Sequence, residues 1–495
     1  MNVRRFSVPL VASCAFAACT GGGVSPLSPG PMAHLAAVSA AISLSPKTLK
    51  VEQGQSETVV VSESNYTGVF KATSSGASSC KGKATFAPAQ GRGPKLTVKV
   101  AGEKPGSCTI AFSDASKHVA KLPVTVLSIP LDFVYVVNYN SNDVAQYAFN
   151  SDATMTALAP NYKLPPTCAG PDAIAMDPAG DLAFISCYAT GTVFTVKIDP
   201  VKRTVGPSSI APVAVPSPYD VIAPDSGAKN VLYADGGGTS TGTIAAFTYG
   251  THSLTSLGAY TTPGVYPDEM ALYTNAQGSS TLFVASPFDP VNGCTNNYTS
   301  GAVEQWSQDT AGHLTPQTSI PVCNTFYNVI AAGGYLYWAG PSVFGGYSLL
   351  TNSPLPSASP PWPAYGGPGY NPAAMSVIPL QPKPSQTRGN GPASAPNSFD
   401  YGVYAGKGNI YIGYSGEDSP GKVIPLAGGV TDGAASCTHL TAPVYYNHVD
   451  YYWVCWYFYK DYLIVTLDNG SLTHSQQIGR INIGNAPFGM VIRSK

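Results

Sequence analysis

Pro171-Asp172-Ala173-Ile174-Ala175-Met176-Asp177-Pro178-Ala179-Gly180-Asp181-Leu182-Ala183-Phe184-Ile185-Ser186 is the stretch on which the fold is decided. It reads as one short apolar strand, a tight turn at Asp177-Pro178-Ala179-Gly180, and a second apolar strand. A Gly-led strand, Gly191-Thr192-Val193, comes next. The second-strand texture recurs with a period of about 50 residues, the signature of a repeat architecture. Its counterparts are Val134-Tyr135-Val136-Val137-Asn138, Val231-Leu232-Tyr233-Ala234-Asp235, Leu282-Phe283-Val284-Ala285-Ser286 and Tyr335-Leu336-Tyr337-Trp338-Ala339. Ile410-Tyr411-Ile412-Gly413-Tyr414 and Tyr462-Leu463-Ile464-Val465-Thr466 complete a set of seven. Further Gly-led strands start at Gly242, Gly301 and Gly421. Four short strands per unit, repeated seven times, predict a β-propeller over residues 129–495. The last strand, Ala486 to Ile492, reads as an innermost strand without successors, and the first unit, from Asp132, lacks that strand. Pairing the two would close the ring and leave no free sheet edge.

Upstream the texture differs. Residues 1–19 carry Arg4 and Arg5 and then an apolar run from Phe6 to Ala18, the layout of an export signal. Residues 20–39 are rich in Gly, Ser, Pro and Ala and read as a flexible linker. Over residues 40–128, alternating strands at Leu49–Glu52, Thr58–Val61, Lys95–Val98 and Leu122–Val126 have the spacing of a β-sandwich. The expected class is therefore all-β. Composition agrees, with 51 Gly, 44 Pro and 30 Tyr against only 11% charged residues. A net charge of −1 leaves no cationic surface for nucleic acid. No other apolar stretch reaches the length of about 20 residues that spans a bilayer as a helix.

Several motifs carry resemblances. Phe16-Ala17-Ala18-Cys19 followed by Thr20-Gly21-Gly22-Gly23 resembles the bacterial lipobox, which implies a lipidated Cys19, a membrane partner and a cell-envelope location. Phe16 departs from the aliphatic residue usual there, and an ordinary signal peptide with free secretion is the alternative. Ser45-Pro46 followed by Val51-Glu52-Gln53-Gly54-Gln55 resembles the opening of bacterial immunoglobulin-like domains, which implies a spacer or adhesive module. The Tyr-Val-x-Asn element and the Pro-Asp-x-Ile-Ala…Asp-Pro-x-Gly-Asp element resemble the YVTN-repeat proteins and the lactonase-like seven-bladed propellers. That likeness is specific for fold and unspecific for activity. No unit carries the His-Pro-Arg lead-in of the phosphogluconolactonase branch, which weakens any catalysis borrowed from it.

Eight Cys remain once Cys14, which leaves with the signal, and Cys19, which takes the lipid, are set aside, and they fall as neighbours: Cys80 and Cys108, Cys168 and Cys187, Cys294 and Cys323, Cys437 and Cys455. Eight Cys allow 105 connectivities, so spacing alone proves nothing. A propeller places Cys168 with Cys187, and Cys294 with Cys323, on one face, as neighbour bridging requires. Cys437 and Cys455 are the hardest pair to place.

Aligning the innermost strands by their Ala puts Asp172, Asp220 and Asp268 in one column, with Asn328 in the fourth unit and Asp450 in the seventh. Such a rim would crown the axial channel. Clustered carboxylates repel unless a cation or shared proton relieves them, so the rim is a candidate site for a divalent cation such as Ca²⁺ or for a polar ligand. The plainer reading makes each Asp a cap on a turn. His448, two residues from Asp450, could pair with it as acid and base, although that spacing merely puts two side chains on one strand face. No HExxH spacing, Gly-x-Ser-x-Gly elbow or phosphate loop occurs. Residues 351–400, with 12 Pro, read as a surface insertion holding one strand at Ala374–Ile378, or as a binding arm. The aromatic run 444–463 reads as packing between sheets or as an exposed platform for sugar or peptide. Asn65, Asn297 and Asn469 match the glycosylation pattern without meaning in a bacterial lipoprotein. The expected function is binding of an envelope protein, glycan or small polar ligand. A lactonase-like hydrolase and a purely structural role are the alternatives.

Overall fold

The computed structural model describes residues 41–152, 154–238, 241–288, 301–322, 326, 328–332, 334–340 and 343–354, and beyond these the strands named below as far as residue 494. The candidate lipid site Cys19, the pair Cys294 and Cys323, His448 and most of the 351–400 insertion lie outside the described residues. The chain is all-β, and its only helical pieces among the described residues are single 3-10 turns at Gly76–Ser78 and Tyr188–Thr190. No helix among the described residues is long and apolar enough to cross a membrane.

Residues 43–127 form two sheets around one core. One runs Ser43–Ser45, Ser56–Ser62, Lys95–Gly102, Ala84–Ala87, and the other Leu49–Glu52, Val119–Leu127, Gly106–Ser113, Val69–Thr73, Gln90–Arg92. The four strands expected from the alternation all lie within these. Lys95–Gly102 alternates exposed and buried residues, as a strand does when only one face is covered. Leu96, Val98 and Val100 thereby meet Ile110, Phe112, Leu122 and Val124 of the facing sheet. Cys80 and Cys108 form a disulfide on this core.

Seven further sheets of four or five strands follow among the described residues. Their leading strands are Pro487–Ser494, Pro171–Met176, Val221–Ile222, Met270–Thr274, Asn328–Ala332, Ala374–Pro379 and Cys437–Leu440. Each leading strand touches the next in that order, and Cys437–Leu440 touches Pro487–Ser494 again. In the first sheet Pro487–Ser494 pairs antiparallel with Pro130–Asn138, setting Tyr135 opposite Val491 and Val136 opposite Met490. The arrangement is propeller-like.

Packing explains why these strands lack the polar–apolar alternation of the sandwich. Leu182–Cys187 is buried at every position but its first. Ala183 and Ile185 join Tyr135 and Val137 of the first sheet, while Phe184 joins Leu232, Ala245 and Phe247 of the third. A sheet covered on both faces has no solvent side, so its strands read as continuous apolar runs. Two tyrosines bind adjacent sheets further: Tyr135 Oη donates to Arg203 O at 2.7 Å and Tyr233 Oη to Gly312 O at 2.8 Å.

Two expectations are corrected. The sequence reads Ile410–Tyr414 and Tyr462–Thr466 as second strands, but they belong to the third strands Asn409–Tyr414 and Tyr462–Asp468 of their sheets. Phe399–Ala405 and Asp450–Tyr457 come before them. Asp400 and Gly402 dilute the apolar signal of the former, and the aromatic density of the latter obscures its boundaries. The aromatic run falls on Val444–Tyr446, Asp450–Tyr457 and the start of Tyr462–Asp468, all in the seventh sheet. Cys437 and Cys455 sit on paired strands there, opposite Tyr457 and Leu440 respectively.

Sandwich and propeller-like unit meet without slack. Only Ser128 and Ile129 separate Val119–Leu127 from Pro130–Asn138. Ile129 N donates to Ser151 Oγ at 3.2 Å and Ser151 N to Ile129 O at 2.9 Å. Ser151 Oγ also bonds the side-chain oxygen of Gln53 in the sandwich.

The disulfide Cys168–Cys187 closes a separation of 19 residues at the head of the second sheet. Replacing both cysteines by alanine is expected to lower stability by about 3 kcal/mol through loop-closure entropy. A lower urea midpoint, with a slope that steepens because the unfolded chain without its cross-link exposes more surface, is the corresponding measurement.

Candidate functional site

Four of the sequence-selected residues stand at the heads of consecutive leading strands. Asp172 lies in Pro171–Met176, Asp220 precedes Val221–Ile222, Asp268 precedes Met270–Thr274, and Asn328 opens Asn328–Ala332, which leads the fifth sheet and not the expected fourth unit. Because those strands touch in order, their heads converge. Asp450 does not share the column: it opens Asp450–Tyr457, the second strand of its sheet, behind the leading strand Cys437–Leu440.

The loop that delivers Asp172 is pinned at several points. Cys168 is bonded to Cys187, Gly170 N donates to Asn142 Oδ1 at 2.8 Å, and Ala173 N donates to Ser186 Oγ at 2.7 Å. Gly170 has φ +59°, and a Cβ there would stand 3.0 Å from the Tyr139 ring. Only glycine allows both the left-handed turn and that approach. Asp220 and Asp235 are tied together: Asp235 Oδ1 accepts from Tyr219 N at 2.8 Å and Asp220 N at 2.7 Å.

The carboxyls split into two kinds. Asp220 accepts from Val221 N at 2.7 Å and, across the sheet boundary, from Met270 N at 2.9 Å. Glu269 likewise accepts from Val329 N of the following sheet at 3.2 Å. These two cap strands, which is the plainer role. Asp172 and Asp268 make no side-chain hydrogen bond to a described residue.

Mutual repulsion and burial set the protonation of this group. Burial, with the charges of Asp268 and Asp220, pushes Asp172 up to about 8. Burial and Asp220 push Asp268 up to about 7. Asp220 rises to about 6, burial outweighing the stabilising N–H donors of Met270 and Val221. Burial carries Asp235 and Glu269 well above the usual carboxylate range, with acidic neighbours adding to it. Every charge acting on these five is another acid; no basic side chain is among them. Asp172, Asp220 and Asp268 are half-buried, so each retains surface that a ligand could reach.

Tyrosines edge the same region. Burial and the charge of Asp172 raise the Tyr139 hydroxyl. Tyr219 packs against Tyr188 with tilted rings 5.0 Å apart, and burial, Tyr188, Asp268 and Asp172 hold its proton on. Tyr266, partly exposed, meets Phe288 edge-on at 6.3 Å. The arrangement offers proton-bearing carboxyls and flat aromatic faces together. It suits a cation or a polar ligand, and carboxyls titrating near neutrality can exchange protons with either.

Direct chelation by the rim is another matter. Among the described residues only Glu63, Asp114 and His118 bring three ligand atoms within 4.8 Å of one another. The rim carboxylates are wider apart, so a bare ion coordinated by three of them at once does not fit this geometry.

Asp235 and Glu269 belong to the cluster and were missed in the sequence. Asp235 had a signal, as the one charge closing the otherwise apolar strand Val231–Gly236. Glu269 had only its adjacency to Asp268.

No protein-family model matches the chain, and neither does any curated protein. Among solved structures it is similar to the periplasmic gluconolactonase PpgL of Pseudomonas aeruginosa, at 11% identity, 73% of this chain, 99% of that one and a TM-score of 0.49. It is similar as well to apo AztD of Citrobacter koseri, at 11% identity, 74% of this chain, 98% of that one and a TM-score of 0.43. The sheet order and the contacts between successive leading strands make the unit propeller-like.

Proposed function

We propose that this chain is a cell-envelope binding protein whose ligand is a small, positively charged polar molecule. In this reading Cys19 carries a lipid that holds the protein at a membrane, and residues 20–39 are the tether. An Ig-like sandwich over 40–128 is the spacer, and residues 129–495 are a closed seven-bladed propeller with an insertion at 351–400. The pairing of Tyr135 with Val491 and the cyclic order of leading strands support closure. The two disulfides support an oxidising compartment.

One observation carries the binding site: Asp172 and Asp268 present carboxyls without a described hydrogen-bond partner, amid acids and tyrosine rings. A bound cation relieves that repulsion, and ring faces add cation–π attraction. Titration with tetramethylammonium, spermidine, Ca²⁺ and a neutral sugar, read by calorimetry, tests it. An organic cation is expected to bind saturably without turnover. Asp172→Asn and Asp268→Asn should each weaken it about tenfold, or 1.4 kcal/mol. Equal affinity in both variants would refute the site, and capture of nothing would favour a purely structural role.

A second reading has its own observation. Carboxyls poised at about 7 and 8 suit general acid–base chemistry, as in a lactonase-like hydrolase. Lactone opening that disappears in Asp172→Asn and Asp268→Asn would establish it.

A further inference from the structure

A second cluster of ligating groups lies in the sandwich, away from the rim. Glu63 follows the strand Ser56–Ser62 of one sheet, whereas Asp114 and His118 flank the hairpin tip between Gly106–Ser113 and Val119–Leu127 of the other. His118 Nδ1 stands 2.5 Å from Asp114 Oδ2 and 3.8 Å from Glu63 Oε1. One ligand atom from each of the three falls within 4.8 Å of the others. Glu63 and Asp114 are each only 8% exposed. Buried Glu63 Oε2 has no hydrogen-bond partner, an arrangement that costs free energy unless something else satisfies it.

Backbone N–H donors and the Tyr66 side chain hold these groups in place. His118 N donates to Asp114 Oδ1 at 2.7 Å, and Asp114 N donates to His118 O at 3.2 Å. Ala115 N donates to Tyr66 Oη at 2.9 Å, and Tyr66 Oη donates to Val69 O at 3.1 Å. Tyr66 N donates to Glu63 O at 3.4 Å, so the Glu63 turn and the hairpin tip are joined through one tyrosine.

We propose that Glu63, Asp114 and His118 form a divalent metal site of zinc type that staples the two sheets of the sandwich. One imidazole nitrogen and two carboxylate oxygens are a donor set for a first-row metal, with a fourth position left for water. Calcium, which takes six to eight oxygens, is poorly matched. A tetrahedral ion with bonds of about 2.1 Å holds its donors about 3.4 Å apart. The observed 2.5 Å and 3.8 Å bracket that spacing, so small side-chain rotations suffice. His118 keeps 36% of its side chain exposed, which gives the ion a path in and a solvent-facing fourth ligand. Binding replaces the contact between His118 and Asp114 by metal bonds, and neutralises two buried carboxylates.

The test strips the full chain with EDTA and titrates it with Zn²⁺ by calorimetry, then with Co²⁺ by visible absorption. One equivalent of Zn²⁺, a raised melting temperature and tetrahedral Co²⁺ bands are expected. His118→Ala and Glu63→Gln should each lower affinity at least tenfold, while Asp172→Asn with Asp268→Asn leaves it unchanged. Glu63→Gln removes a buried charge, so its metal-free melting temperature should equal or exceed the parent's, separating lost binding from lost folding. No Zn²⁺ or Co²⁺ binding would overturn the proposal. Binding that survives Glu63→Gln and His118→Ala, or vanishes only in the rim variant, would overturn it too.

Discussion

Deleting residues 487–495 is expected to abolish cooperative folding of the seven-sheet unit. Pro487–Ser494 pairs with Pro130–Asn138 from Asp132↔Ser494 to Asn138↔Pro487, and it touches leading strands on both sides. Val134, Tyr135, Val136 and Val137 on its partner strand are wholly buried. Without the last strand those backbone groups lose their ladder in an apolar interior, at about 1–3 kcal/mol for each unsatisfied group. Several such losses, with the exposed apolar surface, match the 5–15 kcal/mol that holds a typical domain together. Far-UV dichroism should show no cooperative melt, or one lowered by more than about 10 °C. A truncated chain melting within about 2 °C of the parent would show that the seam carries no weight.

Raising the pH from about 5 to 9 is expected to destabilise the protein, contrary to the behaviour of most salt-bridged carboxylates. Asp172 and Asp268 hold protons up to about 8 and 7 when folded, against an ordinary value of 3.8. Their protons stabilise the folded state fully below the unfolded value, and that contribution fades as pH climbs through the folded values. Each unit of difference corresponds to about 1.4 kcal/mol, so Asp172 alone has a ceiling of about 6 kcal/mol. Solvent at the mouth screens the group, and the cluster should yield about 2–4 kcal/mol in total. Asp114, Asp199 and Asp309, whose carboxyls lie below the usual value, are ionised throughout this window and do not mask the trend. The melting temperature should fall by about 5–10 °C across the range. Asp172→Asn, a neutral isostere, should flatten the dependence and melt higher than the parent at pH 8. A flat parent profile would mean the carboxyls are ionised and solvated.

How much of this was legible beforehand varies along the chain. The first four sheets could be read directly, since strands covered on both faces are continuous apolar runs, and in the second sheet the turn Asp177-Pro178-Ala179-Gly180 separates two of them. The sixth and seventh slip by one strand, because Phe399–Ala405 mixes Asp400 and Gly402 into its pattern and the aromatic density of Asp450–Tyr457 obscures its boundaries. Asp172, Asp220 and Asp268 stood out by alignment, whereas Asp235 reaches their neighbourhood only through folding of Val231–Gly236 beside Val221–Ile222. Glu63 lies far in sequence from Asp114 and His118, and no spacing rule links residues that meet across a sandwich. Cys168 with Cys187 was anticipated once the repeat was recognised.

The short join at Ser128 and Ile129 has a mechanical consequence. Tension applied from the N-terminal side arrives directly at Pro130–Asn138, a strand clamped between Asp143–Asn150 and Pro487–Ser494. Asp132 stands opposite Ser494, so tension between the sandwich and the last strand pulls on adjacent ends of an antiparallel pair and unzips that ladder one residue pair at a time. Both loaded ends lie in that one sheet, so the six remaining sheets are off the path and a pulled molecule is expected to open first at this seam.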